Sequence, residues 1–178
     1  MYKIKKLLGK KESVIPKSKR LSNSLFQTIQ KSIPVTCIDL IVLRKNKKTI
    51  ETLLIKRKIY PEKRKWCLVG GRIIKGEYVQ DTIKRQTLRE LGVSVKILSP
   101  WNETTPFYTL SDPVSDKQKH FVTLTYPVII TKGKLKKEGP EYSETKWFPI
   151  NKLPKIIGFG QKKWLQAFIK TKLSYSIK

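Results

Sequence analysis

Residues 70–93, GGRIIKGEYVQDTIKRQTLRELGV, constrain the fold more than any other stretch of this chain. Two glycines open the stretch, a helical pattern follows over 77–91, and a Gly-Val pair ends it. At about 100° per residue, one side of this helix carries Val79, Ile83, Gln86 and Glu90. Glu90 therefore lies on the face that turns towards the core, where an isolated charge costs several kcal/mol.

The helix pattern alone leaves two roles open for Glu90. An ion pair with Arg72 or Arg85 would neutralise its charge inside the protein. A bound metal ion would do the same. The spacing of the other residues in the stretch is needed to choose between these roles.

The elements around this stretch interleave strands with helices, which indicates an α/β or α+β fold with a mixed sheet. Apolar runs bounded by turn residues predict strands at 34–43, 51–57, 66–71, 93–98, 120–130 and 145–150. The run 120–130 is almost fully apolar, so we expect it to be central, with Pro127 breaking or bulging it. A long polar loop is expected at about 99–118.

Two further helices are expected near the ends of the chain. The first begins after Ser22 or Ser24 and runs to about Lys31, and the last lies near 160–171. With 178 residues, the chain is long enough for one ordinary domain with a short appendage. The expected parts are a basic arm at 1–21, a domain at 22–172 and a tail at 173–178.

The charge balance is strongly basic. The chain has 39 Lys and Arg residues against 13 Asp and Glu, a formal net charge of +26. Such a surface attracts polyanions, whether nucleic acid, nucleotide diphosphates or anionic membranes. Lysines that are merely solvated would explain the same composition, so the charge by itself identifies no ligand.

No apolar run approaches the roughly 20 residues that span a bilayer, and the first residues lack the apolar centre of a signal peptide. A cytoplasmic protein without a membrane span is therefore expected. Cys37 and Cys67 lie in apolar runs, and the one histidine, His120, has no partner at ligand spacing. This pattern predicts neither a disulfide framework nor a zinc site.

The glycine-rich stretch also carries a spaced motif, formed by Gly71, Glu77, Arg85, Glu90, Gly92 and Val93. This spacing resembles the Nudix box, and most fixed positions of the box match without a gap. The resemblance implies a Nudix α/β/α sandwich with a mixed β-sheet. It also implies that a loop, a helix and a second loop hold a divalent metal against a diphosphate.

Two positions depart from the box. Gln86 and Arg89 stand where the box has glutamates, so only Glu90 remains of its metal-facing carboxylates. Clustered carboxylates can gather several Mg²⁺ ions and generate hydroxide for attack on phosphorus, which one carboxylate beside an arginine can hardly do. We therefore expect either an inactive protein or chemistry that asks less of the metal.

The reduced box and the motifs outside it resemble the GDP-mannose mannosyl hydrolase subfamily, which cleaves the bond between sugar carbon and oxygen. The similar motifs are FQTIQKSIPVTCIDLIV and IKRKIYPEKRKWCLVGGR, and the similarity covers roughly residues 24–150. It implies hydrolysis of a nucleotide-diphosphate sugar to free sugar and nucleoside diphosphate. It also implies Mg²⁺ or Mn²⁺ as the cofactor.

The same resemblance implies roles for individual residues. The implied metal ligands are Glu90, a backbone carbonyl of Gly70 or Gly71, and Glu141. The implied leaving-group residues are Arg57, Arg72 and Arg85, and Asp39 falls on an aspartate that lies at the site. These roles are physically consistent, because negative charge that grows on a departing diphosphate is stabilised by one Mg²⁺ and several guanidinium groups.

The general base stays open. Tyr142 stands where the subfamily has a histidine that activates water, and a tyrosine with a pKa near 10 is a poor base at neutral pH. His120 is a candidate if its strand end approaches the site, and otherwise it is an ordinary hydrogen-bonded histidine. Glu141 and Glu144 are the remaining candidates.

Two other functions stay open beside this one. A Nudix pyrophosphohydrolase keeps the fold and cleaves a P–O bond of a nucleoside diphosphate derivative. A non-catalytic Nudix-like module that binds polyanions would explain Gln86, Arg89 and Tyr142 together. The expected partner is a nucleotide sugar or nucleoside diphosphate, and the sequence is also compatible with nucleic acid on the basic surface and with a homodimer.

Overall fold

The computed structural model describes residues 21–102, 104–116 and 119–176. In chain order the elements are α1 (Asn23–Ser32), β1 (Val35–Asn46), β2 (Thr49–Arg57), β3 (Trp66–Cys67), β4 (Val69–Arg72), α2 (Val79–Gln86), β5 (Val93–Ile97), β6 (Tyr108–Asp116), β7 (Lys119–Gly133), β8 (Tyr142–Pro149) and α3 (Lys162–Ser176). A π-helical turn, Thr87–Leu91, follows α2, and a 3-10 turn, Gly158–Gly160, precedes α3. Except for Leu21, the predicted basic arm lies outside the described residues.

The described strands form one eight-stranded sheet. Its order is β3-β2-β1-β7-β5, with β4 paired to β1, β6 to β7 and β8 to β2. The central strands β1 and β7 are parallel, and the other pairs are antiparallel. The sheet is therefore mixed, and with helices on both faces it forms the expected α/β/α sandwich.

Alternating side chains of β1 supply both faces of the sheet with a core. The α2 side buries Ile38, Leu40, Val42, Ile83 and Leu91. The α3 side buries Ile41, Leu43, Leu165 and Phe168. Because each buried aliphatic or aromatic side chain stabilises the fold by about 1.5–3 kcal/mol, both helices are held firmly against the sheet.

The helix predicted over 77–91 is present in two parts. Helix α2 covers Val79–Gln86 and continues directly into the π-helical turn Thr87–Leu91. Gly92 ends the turn with a φ of 71°, a left-handed conformation that glycine adopts without steric clash. The inward face predicted from the sequence is confirmed, since Ile83, Gln86 and Glu90 are buried.

The loop predicted at 99–118 is wrong, because this segment contains strand β6. The backbone of β6 pairs with β7 from Tyr108 opposite Thr125 onwards, and its register shifts between Asp112 and Asp116. Proline and aspartate in this segment oppose a strand locally. In the described sheet β6 pairs with β7 alone, so β7 supplies its hydrogen bonds and the edge position tolerates Pro113.

Pro127 neither breaks nor bulges its strand, contrary to expectation. Strand β7 continues through it, with Pro127 in register opposite Ile41. Its carbonyl accepts a hydrogen bond from the Leu98 N–H at 2.9 Å. Proline has no N–H to donate on this side, and the regular ladder with β5 ends at the neighbouring pair, Ile97 opposite Val128. The irregularity lies instead opposite Thr131, where the β5 register shifts.

The two outer helices are close to their predicted positions. Ser22 caps α1, since its Oγ accepts a hydrogen bond from the Leu25 N–H at 3.3 Å. Helix α3 runs to Ser176, past its predicted end near 171. No helix among the described residues is long and apolar enough to cross a membrane.

Candidate active site

A cavity of about 1230 Å³ lies between α1, the glycines of β4, α2 and the start of α3. Most residues predicted for the site line it, namely Asp39, Arg57, Gly70, Gly71, Arg72, Arg85, Glu90 and Glu141. The side chains of His120 and Tyr142, which are described, are not part of its lining. The fold therefore collects one set of charged groups from β1, β2, β4, α2, the π-helical turn after α2 and the residue before β8.

The paired glycines allow the backbone of β4 to approach two polar side chains. A Cβ atom on Gly70 would overlap the Asp39 carboxylate and the Ile38 carbonyl. A Cβ atom on Gly71 would overlap the side-chain amide of Gln86. Any larger residue here would therefore push Asp39 or Gln86 out of the cavity wall.

Glu90 is held by one of its two carboxylate oxygens. Its side chain is only 4% exposed, and Oε1 accepts a hydrogen bond from Arg89 Nε at 2.7 Å and forms an ion pair with Arg89 Nη2 at 2.5 Å. Its Oε2 is buried without a hydrogen-bond partner among the described residues. The ion pair expected from the sequence thus exists, but with Arg89 rather than with Arg72 or Arg85.

Gln86 presents a second buried oxygen in the same cavity wall. Its Oε1 also has no hydrogen-bond partner within the described part of the chain. Together with Glu90 Oε2 and the nearby backbone of Gly70 and Gly71, it forms a set of hard oxygen donors, which suits Mg²⁺ or Mn²⁺. Among the described residues, no group of three or more His, Cys, Asp or Glu side chains could hold a metal ion. An ion at these donors would need substrate oxygens and water to complete its coordination.

Arg85 is tied to Glu77 rather than directed at a ligand. Its Nε and Nη2 donate to the two Glu77 oxygens at 2.6 and 2.7 Å, and Nη2 also donates to the Arg72 carbonyl at 3.0 Å. Glu77 accepts further hydrogen bonds from the Ile74 N–H and the Thr82 hydroxyl. These contacts favour a positioning role for Arg85, which anchors the loop before α2, over the leaving-group role implied by the resemblance.

Glu77 is correspondingly stabilised as a carboxylate. Its side chain is 1% exposed, and the Arg85 guanidinium is the main reason that its pKa falls to about 2. The Thr82 hydroxyl and the Ile74 N–H lower the pKa further. A carboxylate with all these partners has little capacity left for metal or proton transfer.

Arg57 and Arg72 bring positive charge to two other walls of the cavity. Arg57 Nε donates to the Pro61 carbonyl at 2.9 Å, and its Nη1 lies 3.6 Å from Glu141 Oε2. The Arg72 guanidinium lies 3.8 Å from the centre of the Phe26 ring of α1. Glu141 is 41% exposed, and its Oε1 also lies 3.6 Å from Arg89 Nη2. Both ion pairs of Glu141 are long and partly hydrated, so a ligand can compete with them.

Asp39 is the carboxylate of the cavity that has no cation beside it in the described structure. Its Oδ2 accepts a hydrogen bond from Gln161 Nε2 at 2.7 Å, and Gln161 Oε1 in turn accepts one from the Leu68 N–H at 2.8 Å. Desolvation raises the pKa of Asp39 to about 6, although the hydrogen bond from Gln161 opposes that rise. Asp39 lines the cavity, and at neutral pH its ionised carboxylate can accept a proton there.

The two bases that the sequence offered outside the acidic residues are not at the cavity. The Tyr142 side chain is fully buried, and its hydroxyl donates to the Glu90 backbone carbonyl at 2.5 Å. Burial raises the pKa of Tyr142 to about 12, so it stays protonated. His120 is near the start of β7, and the cavity is lined there by its neighbour Phe121. The expectation that Tyr142 or His120 acts in the site is thus at odds with their positions.

Comparison with known proteins agrees with this geometry. The family model described as the NUDIX domain matches residues 35–168, which include the whole described sheet and the cavity walls other than α1 and the residues around it. The chain belongs to the Nudix family.

Three known proteins show how this Nudix chain relates to others. It is 30% identical over 139 residues to an ADP-ribose pyrophosphatase of Methanocaldococcus jannaschii, covering 78% of this chain and 75% of the relative. It is 26% identical over 129 residues to the low-salt glycan biosynthesis protein Agl8 of Haloferax volcanii, covering 72% and 80%. The crystal structure of a MutT Nudix hydrolase from Burkholderia pseudomallei superposes with a TM-score of 0.64 and 21% identity, covering 76% of this chain and 98% of the other.

One polar residue of this Nudix site was not found from the sequence. Gln161 lines the cavity and connects Asp39 to the backbone of Leu68, yet it is separated from Asp39 by 122 positions. It lies just before α3, outside every motif described above. Only its position at the start of the last helix, predicted near 160–171, could have drawn attention to it.

Proposed function

We propose that this Nudix protein is a Mg²⁺- or Mn²⁺-dependent hydrolase of nucleotide-diphosphate sugars that attacks the sugar carbon and releases a nucleoside diphosphate. The observation that carries the proposal is that only one of the two carboxylate oxygens of Glu90 is hydrogen-bonded. Its Oε2 is buried without a partner in the described structure, in a cavity that arginines also line. A divalent ion would bind that oxygen, and the arginines would bind the phosphate groups of the substrate.

The composition of the cavity supports cleavage at carbon. When the diphosphate departs, negative charge grows on its oxygens and positive charge grows on the sugar ring. Arg57, Arg72 and Arg89 line the cavity that would receive those oxygens. A divalent ion bound at Glu90 would supply further stabilisation of the leaving group. Attack on phosphorus would instead call for more carboxylates than Glu90 and its neighbours supply.

Two relatives support the substrate class. The name of the Methanocaldococcus jannaschii protein specifies ADP-ribose, a nucleoside diphosphate derivative whose terminal ribose is attached through its C5 oxygen, and that of the Haloferax volcanii protein specifies glycan biosynthesis. The first name supports a nucleoside diphosphate in the cavity and does not bear on cleavage at carbon. GDP-mannose is the particular substrate that the resemblance in the sequence implies. It therefore belongs in any substrate panel, together with ADP-ribose.

Asp39 is the residue that we propose to activate the water. It is a cavity carboxylate without a cationic partner in the described structure, whereas Glu77 is fully bonded and Glu90 is assigned to the metal. The Gln161 amide orients its Oδ2, and the absence of a side chain at Gly70 makes room for its Oδ1. In this scheme Asp39 accepts the water proton, the water oxygen bonds to the sugar carbon, and the bond from that carbon to the diphosphate oxygen breaks to release the nucleoside diphosphate.

A second candidate is a pyrophosphohydrolase that attacks phosphorus. It is favoured by the identity to an ADP-ribose pyrophosphatase and by Glu141, whose carboxylate lies across Arg89 from Glu90 and could join a metal site. A third is a module that binds polyanions without turnover, in keeping with the net charge of +26. Nucleic acid binding and a homodimer also stay predictions.

Isotope labelling distinguishes these functions. The protein is incubated with Mg²⁺ and GDP-, UDP- and ADP-linked sugars in ¹⁸O-labelled water, and the label is located by mass spectrometry. Attack at carbon leaves label on the free sugar and none on the nucleoside diphosphate. Label on a phosphate product would show the pyrophosphohydrolase. No turnover of any nucleotide sugar would leave the binding module.

A further inference from the structure

We propose that Arg89 is a built-in cation of this active site, which takes the place of a second metal ion and binds the diphosphate of the substrate directly. This inference rests on the proposed function, because it requires a diphosphate in the cavity. It assigns a role to Arg89, which stands where the Nudix box has a glutamate and which has no other role in the proposed reaction.

Arg89 connects two carboxylates that come from different elements. Its Nε and Nη2 contact Glu90 Oε1 in the π-helical turn, and Nη2 lies 3.6 Å from Glu141 Oε1 in the segment before β8. A cation between two carboxylates is the arrangement that a bridging divalent ion makes with its ligands. The guanidinium therefore stands where a second ion would otherwise be needed to hold Glu90 and Glu141 together.

The same contacts limit how much metal the site can hold. Arg89 occupies Glu90 Oε1, so only Oε2 of that carboxylate remains for an ion. A glutamate at position 89 would remove this cation and add a third carboxylate beside Glu90 and Glu141. The site would then have the composition that gathers several divalent ions.

The guanidinium is also accessible to a ligand. Its side chain is 48% exposed and lines the cavity, whereas the Glu90 side chain beside it is 4% exposed. Its described contacts use Nε and Nη2, so Nη1 remains for a phosphate oxygen. Guanidinium groups bind phosphate oxygens through several N–H donors at once, and they keep their charge at every relevant pH.

A purely structural role for Arg89 makes a different prediction. If the guanidinium only neutralises Glu90, the Arg89→Lys variant, which keeps the charge, should bind a metal-free diphosphate as tightly as wild type does. If the guanidinium is a diphosphate ligand, loss of its several N–H donors in Arg89→Lys weakens that binding even when no metal is present. The decisive measurement is therefore made without divalent ions.

The first experiment measures ADP binding to the full-length protein by calorimetry in EDTA. Arg89→Ala should weaken ADP binding at least about tenfold. The ADP affinity of Arg89→Lys should lie between those of wild type and Arg89→Ala, because lysine keeps the charge but lacks the several N–H donors of the guanidinium. Lys84→Ala is the matched control, since Lys84 is exposed on α2 and lies outside the cavity. Equal ADP affinity of wild type and either folded variant, Arg89→Ala or Arg89→Lys, would overturn the proposal.

The second experiment counts bound Mn²⁺ ions by electron paramagnetic resonance in the absence of nucleotide. Wild type should bind one ion per chain and Arg89→Glu should bind two, while Lys84→Glu, with the same charge change outside the cavity, should stay at one. One ion in a folded Arg89→Glu variant would contradict the replacement of a metal. Thermal melting establishes folding, and if Arg89→Glu does not fold, the ADP affinities of Arg89→Ala and Arg89→Lys decide. Neither readout needs turnover, so a wild type that hydrolyses no nucleotide sugar refutes the proposed function separately.

Discussion

Two glutamate–arginine pairs lie between residues 77 and 90, one in the loop before α2 and one at its π-helical end, and they differ in how completely the carboxylate is bonded. Glu77 uses both oxygens, which receive hydrogen bonds from Arg85, Thr82 and the Ile74 N–H. Glu90 uses Oε1 alone, with Arg89, and leaves Oε2 buried without a partner among the described residues. Both side chains are almost fully buried, at 1% and 4% exposure.

The difference separates a structural contact from a binding site. A buried carboxylate whose oxygens are all bonded contributes stability and offers nothing to a ligand. A buried oxygen without a partner costs about 1–3 kcal/mol, so it is retained where something else binds it. The loop before α2 is thus held by Glu77, and the chemistry is expected at Glu90.

The largest effect is expected when Glu90 is changed to glutamine. Glu90→Gln should lower metal-dependent turnover about 1000-fold, or about 4 kcal/mol, because a neutral amide binds Mg²⁺ poorly. Turnover of the substrate identified by labelling measures this loss, and circular dichroism checks the fold. Glu144→Gln is the control, because Glu144 is exposed and lies outside the cavity. Normal turnover by Glu90→Gln would make Glu90 structural, like Glu77.

For Glu77, a large loss of stability and a small change in metal affinity are expected. Glu77→Gln should lower the free energy of unfolding by about 3 kcal/mol, since it leaves the Arg85 guanidinium without its carboxylate. Urea denaturation measures the change. The Mn²⁺ affinity of the folded variant should fall far less than that of Glu90→Gln. An unchanged urea midpoint would show that the ion pair does not hold the loop.

The pH dependence of stability should report the same pair. The folded-state pKa of Glu77 is about 2, below its ordinary value of 4.5, so its stabilisation is complete above pH 4.5. It is lost as the pH falls from about 4.5 towards about 2, and it amounts to at most about 3 kcal/mol. Comparing the denaturation of wild type and Glu77→Gln between pH 2 and 7 isolates the contribution of the Glu77 carboxylate to the free energy of unfolding. Parallel curves for the two proteins would place the pKa of Glu77 near its ordinary value.

The smallest effect is expected for Tyr142, which supports the turn that carries Glu90. Tyr142→Phe removes the hydrogen bond to the Glu90 carbonyl and should lower the free energy of unfolding by about 1 kcal/mol. Turnover should stay within about threefold of wild type, because the hydroxyl is outside the cavity. Loss of turnover without loss of stability would restore Tyr142 as a participant in the chemistry.

Much of the scaffold could be predicted from local sequence. The cap at Ser22, the inward face of the helix at 77–91 and the glycine loop depend on residues only a few positions apart, so their patterns are visible in one stretch. Strand β6 could not be predicted in this way, because its backbone is satisfied by β7 and its own composition opposes a strand.

Within the site, the sequence by itself determined which groups are present: a carboxylate at Glu90 on a buried helix face, glycines before it and arginines around it. Only the tertiary structure decided which of them are engaged. In the folded chain Arg85 donates to Glu77, Gln161 donates to Asp39, and the buried Tyr142 hydroxyl donates to the Glu90 backbone carbonyl. The last two of these contacts depend on how β1, β8 and the start of α3 pack together, whereas Arg85 and Glu77 are only eight positions apart. Periodicity and spacing describe one element at a time, whereas hydrogen bonds between distant elements form only once the sheet has closed over its two cores.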